Sequence, residues 1–169
     1  FPNLASLVEK QRAEHPGNVL LVDAGDRWTG NPYVDRAPSK YKPVVDLMNE
    51  LGYDLATFGN HEWDAGVDTL ATRVCGAKFE HILANVAFRE DFPFIRQYKI
   101  LTVGGLDILF LGLVTTADEG HPVGMVENFG KTKFLSTEAT VEKFYPWRPT
   151  TDVFVALSHL GFAEESLLA

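Results

Sequence analysis

The chain has 169 residues, 46% of them hydrophobic, and its 15 basic and 23 acidic residues give a formal net charge of −8. This length and composition can bury a sizeable core and are typical of one globular domain or a large part of one. The acidic balance and the lack of a basic run argue against a nucleic-acid polymer or an anionic membrane as partner. No apolar run approaches the roughly 18 residues that a membrane span needs. The composition leaves the oligomeric state open, and a single cysteine excludes an intrachain disulfide.

Short apolar runs alternate with helical patterns in the first half of the chain. Residues 3–15 carry apolar side chains at helical spacing, and "HPG" ends that helix. "NVLLVD" is typical of a strand buried on both faces, and a long loop, "AGDRWTGNPYVDRAPS", follows it. Residues 44–51 predict a second helix that ends at Gly52. "LATF" and "HILANV" predict two further strands, with a helix through residues 67–74 between them.

The second half of the chain opens with a hairpin pattern. "FIRQYKILTV" and "LDILFLGLV" are separated by Gly104-Gly105, which predicts an antiparallel β-hairpin. Residues 115–136 resemble a loop, residues 137–147 predict a helix, and "DVFVALS" predicts a strand before a helix at the carboxyl end. The alternation of strands and helices predicts a single α/β domain whose largely parallel sheet is covered by helices.

Three polar clusters follow predicted strands. "DAGD", "GNHEWD" and "SHLG" come directly after "NVLLVD", "LATF" and "DVFVALS". Because the carboxyl ends of strands in an open α/β sheet meet at one rim, Asp26, Asn60, His61 and His159 are expected to lie together. Taken singly, each of them could be a capping, turn or half-buried residue. Their repetition at three strand ends favours a site for a divalent metal of the zinc, manganese or iron kind.

These motifs resemble those of a known family. "DAGDRWTGNP", "FGNHEWDAG" and "VALSHLG" are similar to the second, third and fourth motifs of the calcineurin-like metallophosphoesterases, and most of all to the bacterial 5′-nucleotidase branch. The stretches "LMNELGYDLATFGNHE", "ILANV" and "GGLDILFLGLVTT" fit as well, so that the resemblance covers nearly the whole chain. It implies an α/β/β/α sandwich of the metallophosphoesterase type, with mostly parallel sheets flanked by helices and an inserted β-hairpin.

The resemblance also implies a site with two divalent metal ions, such as zinc, manganese or iron. Asp26 would bridge both ions, and Asn60 and His159 would bind the second. His61 would be catalytic, contacting the phosphate instead of a metal. Asp64 would orient His61, since a carboxylate on one ring nitrogen raises the basicity of the other. The implied reaction is in-line hydrolysis by a metal-bound hydroxide, without a covalent enzyme intermediate.

Other residues near the motifs allow two interpretations each. Arg27 could touch the phosphate or be a solvated loop residue, and Asn85 could line the substrate pocket or form a turn. Glu62 is expected to support the site or to favour a helix start. Asp23 is expected to brace the loop, and Cys75 to be a small buried residue on a helix.

The chain departs from the family pattern at two motifs. An Asp-x-His motif and a Gly-His-x-His motif, which would supply most ligands of the first metal and one histidine of the second, occur nowhere in these residues. We therefore expect residues 1–169 to be the central part of one catalytic domain, with no second domain present, and to be inactive alone. The base-clamping second domain usual in the 5′-nucleotidase branch is outside this sequence.

The leading hypothesis is a metal-dependent hydrolase of a small-molecule phosphoester, most of all a nucleoside 5′-monophosphate. A cyclic-nucleotide phosphodiesterase and a thiosulfate-type esterase are alternatives on the same fold. A non-catalytic relative that acts as a binding module is an alternative of another class. Analogy with the family places the protein in the periplasm or at the cell surface.

Overall fold

The secondary structure follows the predicted alternation of strands and helices. The structure is a computed structural model, and it describes residues 2–87 and 95–168. The strands in these ranges are β1 (Val22–Asp23), β2 (Leu55–Ala56), β3 (Glu80–Ile82), β4 (Val86–Ala87), β5 (Ile95–Arg96), β6 (Tyr98–Val103), β7 (Leu106–Val114), β8 (Lys133–Phe134) and β9 (Val153–His159). The helices are α1 (Pro2–Glu14), α2 (Pro32–Asp35), α3 (Lys42–Leu51), α4 (Val67–Gly76), α5 (Thr137–Phe144) and α6 (Phe162–Leu168), with 3₁₀ turns at His61–Trp63, Val126–Phe129 and Tyr145–Thr150.

Two larger sheets and one strand pair organise the described residues. The first sheet is parallel throughout, in the order β1-β2-β3-β5. The second has the order β6-β7-β9, in which β6 and β7 are antiparallel and β7 and β9 are parallel. Strands β4 and β8 form a separate antiparallel pair. The hairpin prediction is confirmed, because Val103 pairs with Leu106 across Gly104-Gly105 and both glycines have positive φ, as a two-residue hairpin turn requires.

The layers follow from the alternation of side chains along β7. Leu109, Leu111 and Leu113 pack with Phe144 of α5 on one face of the second sheet. Phe110 points the other way, into a cluster between the two sheets, because successive side chains of a strand lie on opposite faces. On the far side of the first sheet, residues of α3 and α4 pack against strand β2 and the residues after it. The order is helix, sheet, sheet, helix, and the predicted α/β sandwich is confirmed.

Several predicted element boundaries were wrong. "HILANV" is split into β3 and β4, because the chain leaves the first sheet after Ile82 and pairs next with β8. "FIRQYKILTV" is split at Gln97, with β5 in the first sheet and β6 in the second; its first residue, Phe94, lies outside the described residues. The helix predicted to residue 147 ends at Phe144 and continues as a 3₁₀ turn. Cys75 is exposed, so that its predicted burial was wrong.

In the described ranges, no helix combines the length and the apolar character that crossing a lipid bilayer requires.

Candidate functional site

Two sheets contribute to one cluster of polar side chains. Asp26 follows β1 of the first sheet, and His159 is the last residue of β9 in the second. Nε2 of His159 lies 3.1 Å from Oδ2 of Asp26. The other carboxylate oxygen of Asp26, Oδ1, accepts a hydrogen bond of 3.0 Å from the backbone N–H of His61, after β2. Three chain segments that are remote in sequence therefore meet at Asp26.

Glu62 joins the loop after β1 to the loop after β2. Its side chain is buried, and its Oε2 accepts hydrogen bonds from the backbone N–H groups of Asp26 (2.9 Å) and Gly59 (2.6 Å). Its Oε1 accepts one from the N–H of Arg27 (3.0 Å). A buried carboxylate with three charge-assisted hydrogen bonds is well stabilised. These contacts agree with the expectation that Glu62 supports the site. The sequence did not indicate that Glu62 joins two loops.

The close approach of these loops depends on glycine. A Cβ at Gly59 would overlap Oδ1 of Asp26, and a Cβ at Gly25 would overlap the backbone N of Gly59. Asp26 itself has a φ of 60°, in the left-handed region that aspartate tolerates better than most residues. The two glycines therefore let the loops approach each other and leave room for the Asp26 carboxylate.

His61 and Asp64 form a close pair across the 3₁₀ turn. Nδ1 of His61 lies 2.7 Å from Oδ2 of Asp64, and the hydroxyl of Thr29 donates to the same oxygen from 2.7 Å. The hydrogen bond with Asp64 is the main cause that raises the pKa of His61, and partial burial acts against it. Because Nδ1 is engaged by Asp64, Nε2 is the nitrogen that remains for a ligand.

The segment between β7 and β8 borders this pair. Nδ2 of Asn60 donates to the backbone oxygen of Val123 over 3.0 Å, and Nδ2 of Asn128 donates to the backbone oxygen of Asp64 over 3.0 Å. Within the described residues, no hydrogen bond uses Oδ1 of Asn60, and its binding of a cation stays a prediction. No sequence pattern indicated these contacts, because residues 115–136 carry no regular spacing of apolar side chains.

The side chains of the two candidate substrate-binding residues have little exposure to solvent. Nη1 of Arg27 contacts Oδ1 of Asp23 and the backbone oxygen of Thr57, both at 2.7 Å, and the Arg27 side chain is only 6% exposed. Asn85 pairs with the backbone N and O of Val114 through its own side-chain amide. These contacts connect strands and loops, and the binding of substrate by Arg27 or Asn85 stays a prediction. Asp23 braces the loop as expected, since it also accepts from the N–H of Gly25.

The donors at this cluster suit a divalent cation in kind, but they are few. Asp26, His159 and Asn60 offer carboxylate, imidazole and amide oxygen ligands, which zinc, manganese and iron accept. Among residues 2–87 and 95–168, however, no three histidine, cysteine, aspartate or glutamate side chains come close enough to hold a metal ion. The residues present could supply some of the ligands of a metal ion, but they are too few to complete the binding sites of two ions.

Comparison with known proteins gives the family. The family model described as calcineurin-like phosphoesterase matches residues 1–167. The chain belongs to the calcineurin-like phosphoesterases. The family's fold agrees with the layers described above, and the matched residues include both loops and the end of β9.

Known relatives of this chain act on nucleotides according to their names. The chain is 32% identical to a 2′,3′-cyclic-nucleotide 2′-phosphodiesterase/3′-nucleotidase of Haemophilus influenzae, over 98% of its own length and 27% of that protein. It is 34% identical to the 5′-nucleotidase of Rattus norvegicus, over 98% of the chain and 29% of the relative. The crystal structure of a 5′-nucleotidase precursor from Thermus thermophilus has a TM-score of 0.77 and 28% identity, covering 96% of this chain and 32% of that one. The chain thus spans less than a third of the length of these proteins.

Proposed function

We propose that this protein is a metal-dependent phosphoester hydrolase of the 5′-nucleotidase type, with a nucleoside 5′-monophosphate as substrate. The arrangement around Asp26 is the observation that carries the proposal. A carboxylate and an imidazole meet at 3.1 Å beside a histidine whose pKa is raised by its own carboxylate partner. Membership of the calcineurin-like phosphoesterases, a family that uses divalent metals, and relatives named as nucleotidases support the same reaction.

Asp26, Asn60 and His159 would hold the metal, and we propose two ions with Asp26 as the shared ligand. When bound, divalent ions supply charge stabilisation for the phosphoryl oxygens and a water of lowered pKa. We propose that donors outside the described residues complete the site, which makes residues 1–169 the central part of one catalytic domain. With a net charge of −8, the chain would repel an anionic substrate unless bound cations offset that charge locally.

His61 would act on the leaving group. The hydrogen bond with Asp64 raises the pKa of His61 and so favours the charged ring, in which both nitrogens carry a proton and Nε2 can donate its own. Transfer of that proton to the departing ribose oxygen would let the nucleoside leave as an alcohol instead of an alkoxide. The side chain of His61 is 45% exposed, which leaves it accessible to a substrate.

A second candidate, a cyclic-nucleotide phosphodiesterase, is favoured by the 32% identity to the Haemophilus relative. A panel of substrates, tested with the metal-depleted and the metal-restored full-length protein, separates the candidates. We expect phosphate release from a nucleoside 5′-monophosphate to disappear on chelation and to return with zinc, manganese or iron. Turnover of a 2′,3′-cyclic nucleotide or of a thiosulfate ester alone would favour the alternatives. Nucleotide binding without any turnover would indicate a binding module and contradict an enzyme.

We further propose an extracytoplasmic location, in the periplasm or at the cell surface. The Thermus relative of known structure is named as a precursor, and this supports export by analogy. Cell fractionation tests the location, and recovery of the protein solely with cytosolic markers would contradict it.

A further inference from the structure

Two donors converge on a single oxygen of Asp64. Nδ1 of His61 and the hydroxyl of Thr29 both lie 2.7 Å from Oδ2. Thr29 belongs to the loop after β1, which also carries Asp26, and it precedes Asp64 by 35 positions. An ionised carboxylate is an acceptor only, so that each donor restricts the direction in which its oxygen points. The hydrogen bond from Thr29 therefore connects the loop of Asp26 to the turn of His61.

The backbone that precedes Thr29 is firmly held. The preceding residue, Trp28, is fully buried and stacks on the buried ring of Tyr41, with ring centroids 5.3 Å apart and planes 16° from parallel. The N–H of Arg27 is bound by Glu62. Threonine is also stiff at χ1, since it is branched at Cβ. The core thus places the Thr29 hydroxyl, whereas Asp64, with 31% of its side chain exposed, depends on partners for its orientation.

We propose, on the basis of the proposed function, that Thr29 is a positioning residue for phosphoester hydrolysis. Its hydroxyl holds Oδ2 of Asp64 in the place where it engages Nδ1 of His61, and so fixes the direction of Nε2. Without the hydroxyl, the partly exposed Asp64 carboxylate has another favourable state, turned toward water. The aligned ring matters most in the transition state, so that its loss lowers kcat more than it raises KM.

Thr29→Val tests the proposal, because it removes the hydroxyl and keeps the branched shape. With the metal-loaded, full-length protein and a nucleoside 5′-monophosphate, kcat is expected to fall about 10- to 100-fold while KM stays within about twofold. Thr29→Ser is expected to restore most of the turnover. Thr102→Val is the matched control, since it removes a similar bond of 2.6 Å between Thr102 and Asp107 on an exposed part of the hairpin, and it should leave kcat unchanged.

A double variant separates positioning from a general effect on the fold. If Thr29 acts through Asp64, then Thr29→Val has no further effect on kcat in the Asp64→Ala protein. An unchanged kcat in Thr29→Val, a loss that serine fails to reverse, or costs that add in the double variant would each overturn the proposal. Absence of phosphate release from a nucleoside 5′-monophosphate by the unmodified, metal-loaded protein is a different result, because it would overturn the proposed function itself.

Discussion

Nδ1 of His61 and Oδ2 of Asp64 lie 2.7 Å apart across one 3₁₀ turn, while the backbone N–H of the same histidine donates to Oδ1 of Asp26. The two contacts give His61 two separate connections. Its backbone fixes the carboxylate proposed to bind metal, and its ring is directed by Asp64. A substitution of the ring therefore leaves the connection to Asp26 in place, which allows the proposed roles to be tested separately.

The first prediction concerns the pKa of His61. Asp64→Asn should lower it in the metal-free protein, because the hydrogen bond with Asp64 is the main cause of the raised value. The pair stabilises the fold fully below the ordinary histidine pKa of about 6.5, and this contribution is lost as the pH rises through the raised pKa. An NMR titration of the His61 ring measures the change. Asp46→Asn, which removes an exposed carboxylate of α3, is the control; an equal pKa in the Asp64 and Asp46 variants would contradict the prediction.

The second prediction concerns stability at acid pH. His81 is buried between Phe58 and Phe79, at ring-centroid distances of 5.2 and 5.0 Å, and burial holds its pKa well below the ordinary value, with the Arg27 charge acting in the same direction. The unfolded chain therefore binds a proton near pH 6.5 that the folded chain excludes. Below that pH, the free energy of unfolding should fall by up to about 1.4 kcal/mol per pH unit.

Urea unfolding between pH 5 and 8 measures this dependence. His81→Leu replaces the imidazole with an apolar side chain of similar volume. In this variant the free energy of unfolding should depend less on pH below pH 6.5. His15→Leu changes an exposed histidine and should leave the slope in place. The same slope in the His81 variant as in the unmodified protein would show that another group is responsible.

The third prediction concerns the carboxylate that joins the two loops. Glu62→Gln leaves a buried backbone N–H facing an amide nitrogen, since glutamine has only one acceptor oxygen. The expected loss is about 2 to 3 kcal/mol in the free energy of unfolding. Denaturant titration measures it, and Glu142→Gln at an exposed position of α5 is the control. A loss no larger than in the control would mean that these hydrogen bonds contribute little.

The fourth prediction concerns the glycine beneath Asp26. Gly59→Ala places a methyl group where Oδ1 of Asp26 now lies, so that the carboxylate must move. Metal content and turnover should fall together. Gly76→Ala is the matched control, because a Cβ there meets no neighbouring atom within 4 Å. A Gly59→Ala protein with full metal content would indicate that the position of Asp26 is less important than proposed.

Much of the fold could be predicted from local patterns. The hairpin followed from Gly104-Gly105, and the parallel sheet followed from short apolar runs between helical stretches. The split at Gln97 could not be predicted, because a continuous apolar run gives no sign that its two halves pair in different sheets. The prediction that Cys75 is buried was wrong for a similar reason, since helical spacing alone does not show how far the apolar face of a helix extends.

The contacts of the candidate site could also be predicted only in part. Strand ends indicated that Asp26 and His159 would meet, and the structure brings them together. The contact of Asn60 with Val123 and the bond from Thr29 to Asp64 could not be predicted, because each joins segments whose approach only the folded chain determines. The motif predicts that Glu62 supports the site or a helix start, but its three backbone partners depend on the approach of two loops, which the motif does not indicate.

The proposed roles, catalysis by His61 and metal binding by Asp26, are tested most directly by comparing metal content and turnover in two variants. We predict that His61→Ala keeps its bound metal and loses most of its turnover, whereas Asp26→Ala loses both. Elemental analysis of the purified full-length proteins, alongside kcat for a nucleoside 5′-monophosphate, provides the comparison. A fall of metal content in step with activity in His61→Ala, or full metal content in Asp26→Ala, would contradict the assignment.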